Sequence, residues 1–358
     1  MVFGFGSSIE IVRRSRRHAP VRQLLLTRGS NGPGLRTCRY SGAGLSRLLA
    51  FALPVLLLAG CAQRVEEQRA TAANVPQDSA NAAGGRLSIV CTYSILDDWV
   101  HEVGADHVQL TTLVGPGGDA HTYEPTPKDS AALANAGLVF ENGFGFEVWL
   151  NRLFDSSDSK ATRVVVTRQI QGRTIADDEG HSEVDPHVWH DPAFAIQMVR
   201  EIEFALTAAD PKHAQDYQKN AQNYITQLDE LHAWIQTRTS DIPETRRKLV
   251  TTHDTFGYFA ERYNFSVSSV MGTISSEVAD PSAAQIAAII EHIRREQVPA
   301  IFAENILNPR LTEQVAREAG VLIVPTLFTD ALGADGSGGE SYLEMMRSNV
   351  TKIVESLR

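Results

Sequence analysis

Eleven histidines are spread over the 358 residues, and three of them stand where a chemical site is easiest to build. His121 lies in Gly117-Gly118-Asp119-Ala120-His121-Thr122-Tyr123-Glu124-Pro125-Thr126-Pro127, and His187 in Asp185-Pro186-His187-Val188-Trp189-His190-Asp191-Pro192. His253 lies in Thr251-Thr252-His253-Asp254-Thr255-Phe256-Gly257-Tyr258-Phe259. Proline and glycine nearby favour irregular backbone, the setting in which a side chain is aimed into a site rather than into a core. One such histidine alone is more often a hydrogen-bonded structural residue. Together with Asp330, in Phe328-Thr329-Asp330-Ala331, they make three imidazoles and a carboxylate at intervals of about 66, 66 and 77 positions, unlike the clustered ligands of a zinc finger. His101, His213, His232 and His292 fall on expected helices and are read as facing solvent, and His18 lies in the leader.

The elements that must position this set follow from pattern. Short apolar, β-branched runs alternate with helical periodicity from residue 87 onward, as in βα units with parallel sheets. Strands are expected at 87–91, 108–114, 137–141 and 163–166 in a first half, and at 248–252, 265–270, 300–303 and 321–325 in a second. Between them runs a glycine-free stretch from about Pro211 to Arg238, in which Tyr217, Ala221, Tyr224, Leu228, Leu231, Trp234 and Ile235 recur at helical spacing. Asp210 is expected as its cap and Pro211 as its first residue. A helix of that length spans roughly 40 Å and would act as a strut between two lobes. Each half would then give two of the four candidate residues, which places the site in a cleft near strand C-termini.

The chain begins with a different kind of sequence. Residues 1–61 carry nine arginines and one acid, leaving 24 basic groups against 42 acidic ones in the remainder. A body so acidic argues against nucleic acid and suits attraction of cations. After Arg47 comes the apolar run Leu48 to Leu58, then Ala59-Gly60-Cys61. A positive flank, an apolar run of about 11 residues and small residues describe a signal peptide, too short to span a bilayer. Leu58-Ala59-Gly60-Cys61 also resembles the lipobox at which bacterial lipoproteins are acylated on cysteine. Ser15-Arg16-Arg17 has twin-arginine character, but Pro20 and the distance to the apolar run count against that export route. With Cys38 in the leader and Cys61 lipidated, Cys91 alone remains in the body, so no internal disulfide is expected there, and its strand context reads as an inert buried thiol.

The ordered motifs Gly-x-Asp-x-His-x-Tyr-Glu-Pro-Thr-Pro, Asp-Pro-His-Val-Trp, His-Asp-Thr-Phe-Gly-Tyr-Phe and Thr-Asp-Ala-Leu-Gly resemble the zinc and manganese solute-binding lipoproteins of ABC transporters. Ile301 to Asn305 and Gly272 to Glu277 resemble the same family, and the resemblance covers about 87 to 358. It implies an α/β fold of two lobes, each with a central parallel four-stranded sheet flanked by helices, joined by one long rigid helix. The implied parts are a leader with signal peptide (1–60), a lipidated Cys61 and linker (61–86), lobes at 87–210 and 241–358, and the connecting helix at 211–240. It implies a metal site at His121, His187, His253 and Asp330, with Asp254 and Glu124 as candidates to orient imidazoles and His190 as a rim or supporting residue. It further implies a monomer, lipid-anchored on the outer face of the cytoplasmic membrane, that passes its metal to a permease and partner ATPase. The nitrogen-rich donor set favours zinc over manganese. The segment Ile175 to Val184 is short and acidic, with His181 its one histidine, whereas many zinc members carry a long histidine-rich loop there, so manganese is the alternative cargo. A secreted zinc hydrolase or a surface adhesin is the competing class. His-Glu-x-x-His and Gly-x-Ser-x-Gly are both missing from the sequence, and four protein ligands would leave no open catalytic position.

Overall fold

The computed structural model describes residues 85–176, 182–271 and 281–358. The leader, Cys61 with its lipobox, His181 and the Gly272 to Glu277 motif lie outside the described residues.

The first half is built on β1 (Leu87–Tyr93), α1 (Ser94–Gly104), β2 (Val108–Val114), α2 (Pro127–Ala134), β3 (Leu138–Glu141), α3 (Leu150–Ser156) and β4 (Thr162–Val165). The four strands are parallel in the order β2-β1-β3-β4, with Ile89 of β1 opposite Leu110 on one side and Leu138 on the other. A strand covered on both faces needs apolar residues at nearly every position, and β1 and β3 meet that need in Leu-Ser-Ile-Val-Cys-Thr-Tyr and Leu-Val-Phe-Glu. Cys91 sits inside this sheet, fully buried, and burial followed by the charge of Asp97 pushes its thiol well above the usual range. It is therefore inert toward metal.

A short antiparallel hairpin, β5 (Thr174–Ala176) with β6 (Ser182–Val184), then leads into α4 (Pro192–Ala209). Asp191 caps α4 by accepting from the Ala193 amide, and Pro192 sits in its first turn. The long helix is α5 (Ala214–Ser240), about 40 Å at 1.5 Å per residue. Pro211–His213 form a separate 3-10 turn rather than its first turn, and Asp210 Oδ2 accepts from His213 Nδ1 at 2.7 Å and from the Tyr217 hydroxyl at 3.0 Å. Tyr217, Ala221, Tyr224, Leu228, Leu231 and Ile235 form the buried stripe of α5, as their spacing predicts, while Trp234 is partly exposed beneath the Arg347 guanidinium. His232 departs from the solvent-facing expectation, because its Nδ1 pairs with the Tyr263 hydroxyl at 2.9 Å.

The second half holds β7 (Lys248–Thr251), α6 (Gly257–Tyr263), β8 (Ser266–Ser269), α7 (Ala283–Arg295), β9 (Ala300–Glu304), α8 (Arg310–Ala319), β10 (Leu322–Leu327) and α9 (Tyr342–Leu357). Its strands pair in parallel as β7 with β8 and β9 with β10, and β7 lies beside β9. Where those two central strands end, the Glu304 carboxylate rather than a backbone carbonyl takes the amides of Thr252 and His253. That replaces ladder bonds with a side chain. α5 packs against α1 and α4 of the first half and against α9 of the second, so its apolar stripe joins both to one core. Across the same junction Trp189 Nε1 donates to the Thr329 carbonyl, and the Tyr342 hydroxyl to the Trp189 carbonyl.

Candidate metal centre

Each candidate ligand sits just beyond a regular element. His121 lies in the loop after β2, His187 in the turn after β6, His253 two residues after β7, and Asp330 three residues after β10. Strand C-termini present loops to one edge of a parallel sheet, and that edge is where α/β folds collect ligands. Before Asp330 the β10 ladder shifts register between Val324 and Leu327, around Pro325, which has no amide to donate, and Thr326 at φ +50°. The irregularity re-aims the chain toward the site.

The four side chains converge although up to 209 positions separate them. One donor atom from each lies within 4.8 Å of the others, and all four residues are buried. His121 Nε2 is 3.2 Å from His187 Nε2 and 3.3 Å from Asp330 Oδ2, while His253 Nε2 is 3.1 Å from the same Oδ2. His253 Nε2 and Asp330 Oδ2, both fully buried, face each other and have no well-aligned hydrogen bond to any other group. A buried carboxylate oxygen and imidazole nitrogen need a cation or a proton between them. A cation held among the four would satisfy both.

The outer ring nitrogens are held by carboxylates. Asp185 Oδ1 faces His187 Nδ1 at 2.8 Å and accepts from the His187 amide at 3.0 Å. Glu304 Oε2 faces His253 Nδ1 at 2.5 Å, and its Oε1 accepts from the Thr252 and His253 amides at 2.6 and 2.9 Å. A carboxylate on Nδ1 fixes the tautomer so that Nε2 presents its lone pair inward, and it makes the imidazole a better donor. His121 is oriented otherwise, by its amide bond to Asp119 Oδ1 and by edge packing on Phe146.

Electrostatics follow from this crowding. Burial opposes charge on His187, but Asp330 and Asp185 outweigh it and bring the imidazole up to about 9. His253 is likewise raised well above the ordinary histidine range, burial being overcome by Glu304 and Asp330. Asp330 moves the opposite way, since His253 and His187 hold its carboxyl well below the usual range against the effect of burial.

The other residues singled out from sequence take different places. His190 is fully buried, stacked on Phe256 at 4.2 Å, and its Nε2 pairs with Thr255 Oγ1 at 3.2 Å. Burial first, then the charge of His187, brings it down to about 3 and keeps it neutral. It is not at the rim. Asp254 feels Asp185 and Arg173, its Oδ1 is buried without a hydrogen-bond partner, and its carboxyl is raised by burial and then by Asp185. Glu124 is exposed, and among the described residues no hydrogen bond joins either acid to a ligand imidazole. The groups that do orient the imidazoles, Asp185 and Glu304, were not given that part by the sequence. The signal for Asp185 is an acid two residues before a ligand, positioned to turn back on the following amide; for Glu304 it is a charged residue closing a fully buried strand.

Known proteins resemble this chain over most of its length. The family model described as "Zinc-uptake complex component A periplasmic" matches residues 89–356. The manganese-binding lipoprotein MntA of Halalkalibacterium halodurans is 33% identical over 282 residues, covering 78% of this chain and 92% of that one. The manganese ABC transporter substrate-binding lipoprotein PsaA of Streptococcus pneumoniae serotype 4 is 28% identical over 320 residues, covering 87% and 98%. Among solved structures, the periplasmic zinc binding protein TroA from Treponema pallidum superposes with a TM-score of 0.71 at 30% identity, covering 76% of this chain and 99% of that one. On motif order, fold and the extent of these matches, the chain belongs to the Zinc-uptake complex component A periplasmic family.

Proposed function

We propose that this protein captures one divalent transition metal outside the cytoplasm at His121, His187, His253 and Asp330 and delivers it to an ABC importer. The observation that supports this most is the convergence of one donor atom from each of four buried residues to within 4.8 Å of one another. Zinc is the favoured cargo, because three imidazoles and one carboxylate make a four-donor, nitrogen-rich set, whereas manganese prefers more oxygen and more ligands. Manganese is the alternative, in keeping with the names of MntA and PsaA. Four protein donors leave no position for an activated water, which fits a binder rather than a hydrolase.

Capture is an exchange of charge. The neighbouring carboxylates favour the protonated forms of His187 and His253 in the metal-free site, and an arriving dication would displace those protons. Loss of those protons offsets the incoming charge, so less extra charge has to be buried. Asp185 and Glu304 remain on the Nδ1 atoms and keep both imidazoles aimed inward. The lobes 87–210 and 241–358 would hold the loaded surface for a permease, with helix 211–240 as the strut between them. Cys61 would carry the lipid that keeps the monomer at the outer face of the cytoplasmic membrane. Among the described residues no helix is long and apolar enough to cross a membrane. Competitive titration of the full chain with zinc and manganese tests the assignment: one tightly held metal per chain is expected, and no stoichiometric metal would end it.

A further inference from the structure

The segment that carries His187 is pinned to α6 of the second half by ion pairs that run in opposite directions. Arg173, one residue before β5, donates from Nη1 to Asp185 Oδ2 at 3.1 Å and from Nε to Glu261 Oε1, on α6, at 2.7 Å. One residue further along α6, Arg262 reaches back, its Nε and Nη2 lying 2.8 and 2.7 Å from Asp191 Oδ2. Asp185 and Asp191 are both buried, and they bracket His187 in Asp185-Pro186-His187-Val188-Trp189-His190-Asp191. Between the pairs, the Tyr258 hydroxyl donates to the Asp185 carbonyl at 2.7 Å and accepts from the Arg173 amide at 2.8 Å. Gly257, the first residue of α6, makes room for this seat. A β-carbon there would overlap the Arg173 guanidinium and stand 2.7 Å from Asp185 Oδ2.

α6 begins shortly after His253, so these ion pairs fasten the His187 segment of one half to the His253 segment of the other. His187, His253 and Asp330 are wholly excluded from solvent, and an ion held among them cannot leave until some part of the enclosure opens. Resting on the metal-binding reading above, we propose that Arg173 and Arg262 are positioning residues that clamp α6 onto the His187 segment and set how long the metal is retained. A guanidinium suits this part, because its planar fork of donors bonds carboxylates on two different elements at once, as Arg173 does with Asp185 and Glu261. Removing either arginine leaves a buried carboxylate short of one partner in the clamped arrangement, whereas water reaches that carboxylate once the segments part. The clamped arrangement is therefore the one that loses stability. Neither arginine touches the metal.

The test is stopped-flow transfer of zinc from the loaded full chain to an excess of chromogenic chelator, for wild type, Arg173→Gln, Arg262→Gln, Glu261→Ala and Arg295→Gln. The rate is read only from chains that hold zinc, so a variant that folds less completely lowers the amplitude and leaves the rate alone. Arg173→Gln and Arg262→Gln should each speed release by at least about 10-fold while association stays within about 3-fold of wild type, since cutting a buried charge pair acts on departure. Glu261→Ala separates α6 from Arg173 without touching Asp185, and so distinguishes a clamp from an effect on the His187 ring. Because the Glu261 side chain is exposed, release about 2- to 5-fold faster is expected there. Arg295, which pairs with Glu296 at the surface, is the control and should stay within about 2-fold of wild type. Release within about 2-fold of wild type in every variant would overturn the inference and put the exit elsewhere in the enclosure. Faster release in Arg173→Gln alone would reduce Arg173 to a support for Asp185 and overturn the clamp as well. A wild type that takes up no zinc would instead remove the metal-binding reading itself.

Discussion

Replacing Glu304 by glutamine tests how far the site depends on a residue that touches no metal. The carboxylate accepts from His253 Nδ1 at 2.5 Å and from two backbone amides at 2.6 and 2.9 Å. Glutamine has one acceptor oxygen, and if it stays on the two amides its NH2 group faces Nδ1, a donor against a donor. The imidazole relieves that clash by moving its hydrogen to Nε2, the nitrogen the metal needs. Loss of such a partner costs about 10- to 100-fold in metal affinity. A second magnitude follows from charge. In wild type, His187 at about 9 is protonated at neutral pH, and Glu304 and Asp330 shift His253 in the same direction. Metal binding should then release more than one proton, and affinity should rise more than about 10-fold per pH unit near neutrality. Three ordinary histidines at about 6.5 would release only about 0.7 proton at pH 7. Without the Glu304 charge the release should drop toward one. Isothermal titration in buffers of different ionisation enthalpy gives affinity and proton count together. An Glu304→Gln protein with unchanged affinity and an unchanged count would refute the reasoning.

The same charges set the stability of the metal-free fold. Because His187 titrates higher folded than unfolded, its contribution is fully present below about pH 6.5 and is lost as pH rises through about 9, an effect of roughly 3 kcal/mol at most. Thermal unfolding of the metal-free protein should thus show a falling Tm between those values, and a Tm that climbs over this range would contradict the assignment. Leu228→Ala, in the buried stripe of the long helix, should destabilise by about 2–5 kcal/mol in denaturant titration while leaving one metal per folded chain. A lost or doubled stoichiometry in that variant would mean that α5 does more than hold the lobes.

Much of this arrangement was legible in the sequence because each candidate ligand is announced locally. Glycine, proline and strand-end positions marked His121, His187 and His253, and parallel-sheet logic put the ends of β2 and β7 beside candidate ligands, while His187 follows the antiparallel β6. The stripe on α5 was equally plain, since 3.6-residue periodicity needs no tertiary knowledge. What stayed hidden depends on contacts between distant elements. Glu304 is 51 residues from the imidazole it supports, and only the adjacency of β7 and β9 brings them together. His190 reads from sequence as a rim or supporting residue because nothing local tells that Thr255, 65 positions away, lies against it. The β5–β6 hairpin escaped notice since Ser182–Val184 is exposed throughout and lacks an apolar alternation. Pro211 satisfied the rule for a first helical residue, yet the chain spends it on a 3-10 turn, a choice between two structures that proline fits equally well.

The most direct test of the central claim is metal content and affinity of the full chain beside His253→Ala, by elemental analysis and competitive titration with zinc and manganese. The account predicts one metal per wild-type chain, zinc held more tightly than manganese, and a loss of binding by at least about 100-fold when one of four donors is removed. A wild type with no stoichiometric metal, or a His253→Ala protein that binds as tightly as wild type, would contradict it.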